Sequence, residues 1–76
     1  MNVKFFSRSN CELCEVGLRT LKLVQEDIAF AIEIIDIEAD EVIHEKYMLM
    51  IPVVEKDGHI LQYGNLDYAT LAAALV

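Results

Sequence analysis

The feature that most constrains the fold of this chain is a change of hydrophobic period along its first half. Val3 to Ser7 is a short apolar run typical of a buried strand, and Leu13 to Val24 follows with helical spacing. Ile28 to Ile37 is then rich in β-branched residues, with Ala31 to Asp36 as the expected strand core. Its apolar residues face both ways, which favours a central or parallel strand. Two strands joined through a helix should be parallel, with a right-handed crossover.

The second half of the chain predicts a helix, a hairpin and a final helix. Asp40 to Tyr47 indicates a short helix opened by acidic residues. Val53 to Lys56 and His59 to Gln62 are predicted strands, joined by an Asp-Gly turn. Leu66 to Val76 is the expected last helix, with Asn65 as its cap. The order β-α-β-α-β-β-α predicts an α/β fold, with a mixed four-stranded sheet and helices on both faces.

Size and charge narrow the classes of function. The 76 residues, 55% of them hydrophobic, predict one ordered domain that spans residues 1–76. The net charge of −7 disfavours nucleic acid, because phosphate binding needs clustered Lys and Arg. No run approaches the roughly 18 apolar residues of a membrane span, and Met1-Asn2-Val3-Lys4 lacks the apolar core of a signal peptide. We therefore expect a cytoplasmic monomer that meets neither nucleic acid nor membrane.

Cys11-Glu12-Leu13-Cys14 is the one cysteine pair, and it lies where the first strand gives way to the first helix. A dithiol at such a junction is typical of thiol–disulfide exchange. Free N–H groups and a partial positive charge at a helix start favour the thiolate of Cys11, whereas Cys14 should be more buried. We therefore expect Cys11 to attack a disulfide and Cys14 to resolve the mixed disulfide. Ser9 or Asn10 is the expected cap of this helix.

The charges around the pair predict the direction of its chemistry. Arg8 would stabilise the Cys11 thiolate, whereas Glu12 and Glu15 would destabilise it. A less stabilised reduced form makes a more reducing couple. We therefore expect a reductant.

Three other interpretations of the pair are less favoured. Two cysteines can simply fill a core, but this spacing at a strand-to-helix junction argues against it. The spacing is also half of a zinc site, but such a site wants four ligands, and the remaining candidates, His44 and His59, form no partner motif. A third possibility is a cluster or metal bridged between two chains, each of which contributes Cys11.

The whole pattern resembles a known family. A strand, a C-x-x-C that opens a helix, a second strand and helix, and then Ile51-Pro52-Val53 before a hairpin and a last helix are similar to the thioredoxin superfamily in its minimal, glutaredoxin-like form. A C-x-x-C followed roughly forty residues later by a proline that opens a strand is more specific than the dithiol alone. The similarity extends to short glutaredoxin-like proteins with a C-x-L-C motif, and it implies a thioredoxin-like fold.

The resemblance implies roles for particular residues. Cys11 matches the exposed nucleophile and Cys14 the resolving thiol, while Pro52 matches the cis-proline that packs beside the dithiol. Proline has no N–H, so Ile51 would present its own main-chain groups to the backbone of a substrate. These four residues are the expected centre of the site.

Three further residues match positions that contact glutathione in this family. Arg8 stands where many glutaredoxins carry a lysine near the glutathione carboxylate. Gly64 and Asp67 resemble the second glycine and the aspartate of the turn that receives the γ-glutamyl end. The chain departs from the family pattern at Glu12-Leu13 between the cysteines, and at Tyr63, whose ring would obstruct the glutathione groove.

Two functions from different classes follow. The first is a small thiol–disulfide oxidoreductase without a bound cofactor, which acts on disulfide-containing proteins or uses glutathione as co-substrate, and which a reductase would regenerate. The alternative is a binding module that docks a partner protein through Met48-Leu49-Met50-Ile51. The Met48–Ile51 segment could instead pack in the core beneath the second helix, and this is the arrangement we expect.

Overall fold

Four strands and three α-helices make up the computed structural model, which describes residues 1–76. The strands are β1 (Asn2–Ser7), β2 (Ala31–Asp36), β3 (Val53–Lys56) and β4 (His59–Tyr63). The helices are α1 (Glu12–Asp27), α2 (Glu41–Tyr47) and α3 (Tyr68–Leu75), and a short 3-10 helix, Ile37–Ala39, precedes α2. The predicted order of elements is confirmed. None of the helices is long and apolar enough to cross a membrane.

The sheet is mixed and has the strand order β2-β1-β3-β4. Strands β1 and β2 are parallel, with Phe5 opposite Ile34, whereas β1 and β3 are antiparallel, with Phe6 opposite Val53. Strands β3 and β4 form the predicted antiparallel hairpin. The parallel pairing of β2 is confirmed, but the expectation of a central strand is wrong. Because β3 takes the other side of β1, β2 lies at the edge of the sheet and the side chain of Ile34 is 57% exposed.

Helices cover both faces of the sheet, as predicted. Neighbouring residues of a strand point to opposite faces, so Phe5 and Phe6 enter two different cores. Phe5 joins a cluster with residues of α1 and α3, including Leu21 and Leu71. Phe6 joins a second cluster on the α2 side, with Val53, Ile37 and Tyr47.

Tyr47 ties the end of α2 to the sheet. Its hydroxyl donates a 2.8 Å hydrogen bond to the carboxylate of Glu55 on β3, and its ring lies 4.7 Å from that of Phe6, centroid to centroid. Burial of the side chain, together with the bond to Glu55, raises the pKa of Tyr47. The hydroxyl therefore stays a donor, and α2 is anchored where the chain turns towards Pro52.

The helix ends differ from the sequence expectations. Helix α1 continues through Gln25-Glu26-Asp27, past Val24, where the helical spacing of the sequence ends. The cap of α1 is Cys11, not Ser9 or Asn10, and the cap of α3 is Asp67, not Asn65. In both helices the capping atom belongs to a residue that was predicted to attack or bind a substrate.

Candidate active site

Cys11 is held at the N-terminus of α1 by the geometry of a helix cap. Asn10 before it has a positive φ of 56°, a conformation that Asn tolerates better than most residues. This residue turns the chain from β1 into α1, and Cys11 follows in extended conformation. The backbone N–H of Cys14 donates to the Sγ of Cys11 over 3.2 Å. The sulfur therefore receives one of the free N–H groups of the first helical turn.

The two cysteines are joined as a disulfide in this structure, and their Cα atoms lie 5.2 Å apart. Their surroundings are unequal. Cys14 is only 4% exposed and points into the protein, whereas Cys11 is half-buried. An incoming thiolate therefore has easier access to the sulfur of Cys11.

A shallow cleft of about 140 Å³ adjoins the disulfide. It lies between the end of β1 and the first turns of α1. Arg8 and Glu15 line it together with the two cysteines, so one positive and one negative side chain flank the dithiol. The structure therefore brings three of the predicted site residues, Arg8, Cys11 and Cys14, into one cleft.

The Ile51–Pro52 segment lies at the same end of the sheet. Because Phe6 pairs with Val53, Pro52 stands beside the end of β1, from which the chain passes to Cys11. The Ile51–Pro52 peptide bond is cis, and the side chain of Pro52 is buried. The N–H of Ile51 donates to the carbonyl of Tyr47 over 3.1 Å, and no backbone N–H donates to the carbonyl of Ile51. Ile51 therefore keeps its carbonyl, but not its N–H, free for a ligand.

Gly64 is coupled to this segment, as its N–H donates to the carbonyl of Pro52 over 2.8 Å. Its φ of +75° is a conformation that favours glycine. Tyr63 just before it is 56% exposed. This hydrogen bond links the turn at Gly64 to the Ile51–Pro52 segment.

Asp67, like Ile51, Pro52 and Gly64, does not line the dithiol cleft. Its carboxylate accepts hydrogen bonds from the N–H and hydroxyl of Thr70 and from the side chain of Gln62, each 2.8 Å long. The bond from the Thr70 N–H, followed by the bond from Gln62, holds the pKa of Asp67 below its usual value. The carboxylate is thus already engaged within the chain. The partnership with Gln62 leaves no pattern in the sequence.

Sequence reasoning also missed Gly17. This buried residue of α1 lies one turn after Cys14, and a Cβ built on it would approach the Cγ of Pro52 and the Cδ1 of Leu66 to 2.9 Å each. Real Cβ atoms essentially never come so close to other heavy atoms. A glycine inside a helix lowers the stability of the helix by about 1 kcal/mol relative to alanine. Its presence within a predicted helix was therefore the available sequence signal of a packing role.

The segment from Met48 to Ile51 divides between core and surface. Met50 and Ile51 are partly buried and pack against the cluster around Phe6. Leu49, in contrast, is 91% exposed and Met48 is 44% exposed. The expectation that the whole segment packs beneath α2 is therefore wrong for these two side chains, because the chain turns outward between the end of α2 and Pro52.

A larger cleft, of about 500 Å³, lies along α2, away from the dithiol. Its walls carry Glu38, Glu41, Glu45, Met48 and the half-buried His44. No three Cys, His, Asp or Glu side chains of the chain are arranged so that they could hold a metal ion. The two cysteines line the smaller cleft and not this one.

Comparison with known proteins finds similarity along nearly the whole chain. The family model for the glutaredoxin-like domain (DUF836) matches residues 2–76. The chain is 26% identical to protein XcR50 from X. campestris, with a TM-score of 0.83 over 96% of this chain and 93% of that one. It is also 26% identical to protein Ne2328 from Nitrosomonas europaea, with a TM-score of 0.84 over 99% and 91%.

More distant structures share the fold alone. Thioredoxin 1 from Thermosipho africanus is 17% identical, with a TM-score of 0.64 over 99% of this chain and 94% of that one. No curated protein matches the chain significantly. The similarity to these solved structures confirms the predicted thioredoxin-like fold.

Proposed function

Since this chain belongs to the glutaredoxin-like domain family, we propose that it is a thiol–disulfide oxidoreductase that works through Cys11 and Cys14. The observation that carries the proposal is the unequal environment of the two sulfurs. Cys11 is half-buried at a helix N-terminus and accepts an N–H, whereas Cys14 is 4% exposed. An amide donor and the helix dipole favour thiolate over thiol, which makes Cys11 the nucleophile.

The reaction follows as two exchanges. The Cys11 thiolate attacks one sulfur of a substrate disulfide, which forms a bond between Cys11 and the substrate and releases the other substrate sulfur as a thiolate. Cys14 then loses its proton and attacks the Sγ of Cys11, which expels the second substrate sulfur. The substrate gains two electrons, and the products are two substrate thiols and the Cys11–Cys14 disulfide. A dithiol reductase or glutathione would restore the reduced pair.

The charges nearby favour a reductant. The first turn of α1 carries Glu12 and Glu15, whose negative charges disfavour the Cys11 thiolate. Arg8 across the cleft offsets part of this effect. Any dithiol at a helix N-terminus shares the effect of the cap. The carboxylates of Glu12 and Glu15 are therefore what distinguishes the Cys11–Cys14 pair. The reduction potential of the pair checks the predicted direction.

The substrates we propose are disulfide-containing proteins, with glutathione as an alternative co-substrate that would use Arg8, Gly64 and Asp67. The engaged carboxylate of Asp67 and the exposed ring of Tyr63 favour protein disulfides. A reducing compartment such as the cytoplasm would keep the pair cycling.

Two single substitutions test the proposal. The Cys11→Ser variant should lose all exchange with a disulfide, because the nucleophile is gone. The Cys14→Ser variant should accumulate a mixed disulfide at Cys11, because nothing resolves it. Mass spectrometry after incubation with a disulfide peptide measures both. Exchange that persists in Cys11→Ser, or a mixed disulfide found at Cys14 of the wild type, would contradict these roles.

The exposure of Leu49 supports a second candidate, a binding module that docks a partner protein beside the dithiol. Its side chain is 91% exposed next to the partly exposed Met48, and methionine adapts to varied partners. Slow exchange by the reduced wild type, together with loss of a captured partner in Leu49→Asp, would favour this candidate over the oxidoreductase.

A further inference from the structure

The cleft beside the dithiol has an apolar floor and a charged rim. Phe5, Cys14 and Leu18 form the floor and are buried or half-buried. The rim is polar, and only two of the side chains that line the cleft carry a charge, Arg8 just after β1 and Glu15 on α1. A positive and a negative group therefore stand on the two elements that border the cleft, beside the sulfurs that also line it.

Arg8 and Glu15 both keep their charges available to a ligand. Neither side chain forms an ion pair or a hydrogen bond within the chain, and Glu15 does not pair with Arg19 one turn further along α1. A guanidinium group binds a carboxylate through two parallel hydrogen bonds, and a carboxylate accepts hydrogen bonds from an ammonium group. A ligand that carries both a carboxylate and an ammonium group would therefore satisfy both charges at once.

The volume of the cleft limits the ligand to about the size of one amino acid. Sites for drug-sized ligands have volumes from about 300 Å³ upward, whereas this cleft has about 140 Å³. A tripeptide would extend beyond it. In a free cysteine, one carbon separates the sulfur from the carbon that carries both charged groups, so sulfur, carboxylate and ammonium lie together in a small volume. Cys11, Arg8 and Glu15 line the cleft in the complementary combination.

We propose that this cleft binds one half of a zwitterionic amino-acid disulfide, of which cystine is the simplest, with its carboxylate on Arg8, its ammonium group on Glu15 and its sulfur at Cys11. The inference rests on the proposed exchange function and deepens it by naming a small substrate besides protein disulfides. A cysteine inside a polypeptide offers neither charged group, because both are used in peptide bonds. The two charges therefore select for the free amino acid.

The reduction of cystine requires two electrons, which the dithiol supplies. The Cys11 thiolate forms a bond to one cystine sulfur while the S–S bond of cystine breaks, and the first cysteine leaves as a thiolate that takes up a proton. Cys14 then gives up its proton and attacks the Sγ of Cys11, which releases the second cysteine. The products are two cysteines and the Cys11–Cys14 disulfide, which a dithiol reductase or glutathione reduces again.

The test measures the rate at which the reduced protein reduces four small disulfides. Cystine carries both charged groups, cystamine carries ammonium groups alone, dithiodipropionate carries carboxylates alone, and hydroxyethyl disulfide is neutral. The rate of each variant is divided by the wild-type rate, and then by the same ratio for hydroxyethyl disulfide, which removes the effect of the substitution on the thiolate itself. Thiol trapping and mass spectrometry follow the reaction at low ionic strength, because salt screens exposed charges.

The two charges should act on different disulfides. Glu15→Gln should lower the normalised rates with cystine and cystamine about threefold, the effect of one exposed ion pair, and should not lower the rate with dithiodipropionate. Arg8→Gln should lower the rates with cystine and dithiodipropionate by a similar factor, and should not lower the rate with cystamine. Both side chains are exposed, so both variants should fold.

Glu12→Gln is the matched control. Glu12 carries the same charge in the same helical turn as Glu15, but it does not line the cleft. Its normalised rates with the three charged disulfides should stay at the wild-type values. An effect on cystamine as large as that of Glu15→Gln would assign the selectivity to the general charge of the helix start and overturn the proposal.

The remaining outcomes separate this inference from the function on which it rests. Normalised rates that neither Glu15→Gln nor Arg8→Gln changes overturn the inference alone, because reduction of hydroxyethyl disulfide by the wild type would still demonstrate exchange. A wild-type protein that reduces none of the four disulfides overturns the proposed function, and the inference with it.

Discussion

Two residues of the site serve the fold and the proposed chemistry together. Cys11 caps α1 through its sulfur, and Asp67 caps α3 through its carboxylate. In each case a side chain accepts backbone N–H groups that the first helical turn leaves free. A substitution at either position therefore changes a helix end as well as a reactive or charged group, and conservative variants are needed to separate the two effects.

Asp67 predicts how stability changes with acid. Its folded-state pKa is lowered, first by the Thr70 N–H and then by Gln62, from an ordinary value of 3.8. Its charge therefore contributes stability above that value, and the contribution is lost as the pH falls through the folded-state pKa. Asp67→Ala should lower the free energy of unfolding at neutral pH, and much less in strong acid. Urea unfolding at the two pH values measures this.

The matched control is Asp67→Asn, since Asn caps a helix about as well as Asp but carries no charge. It should keep more stability at neutral pH than Asp67→Ala, while losing the acid dependence that the carboxylate supplies. An equal gap between wild type and Asp67→Ala at both pH values would refute this account of the cap.

At the scale of elements, α2 depends on a single polar tie to the sheet. The Tyr47 hydroxyl bonds to Glu55 of β3. Tyr47→Phe removes the bond and keeps the ring, so it should lower the free energy of unfolding by about 1 kcal/mol. Tyr63→Phe is the control, because this ring is 56% exposed and should change stability by less than about 0.5 kcal/mol. Urea unfolding of both variants provides the comparison, and equal effects would show that the tie contributes nothing.

The elements themselves were largely predictable, and their environments less so. The first strand, the first helix and the hairpin have clear periods and turn signals, because each lies with one face on a core. β2 misled the prediction: its apolar residues face both ways, but the pairing of β1 with β3 leaves it at an edge with Ile34 exposed. The cap of α1 was misplaced because Cys11 is not a residue type favoured as a cap, and the cap of α3 because Asn65 and Asp67 are both favoured types.

The candidate site was predictable in the same uneven way. Two local patterns were visible in the sequence, the spacing of Cys11 and Cys14 and the proline downstream. The resemblance to the thioredoxin superfamily indicated that they belong to one site. The contact of Gly17 with Pro52 and the hydrogen bond from Gln62 to Asp67 depend on how elements pack or turn. No local pattern reports such contacts, which is why they required the structure.

The whole molecule brings the parts of the site together through strand direction. β1 ends where the antiparallel β3 begins, and β3 begins where the antiparallel β4 ends. The loop to Cys11, the Pro52 segment and the turn at Gly64 therefore meet at one end of the sheet. The helix that starts there adds its N–H groups, and its two glutamates set the predicted reducing direction.

The measurement that tests this account most directly is the redox equilibrium of the intact protein against glutathione buffers, with the two states quantified after thiol trapping. We predict a two-electron couple at or below the range of glutaredoxins, about −200 to −230 mV. Such a value would mark a dithiol that gives electrons to disulfides. A potential near −120 mV, typical of a disulfide-forming oxidant, would contradict the reducing direction. A disulfide that neither glutathione nor a stronger dithiol reductant opens would contradict the redox function.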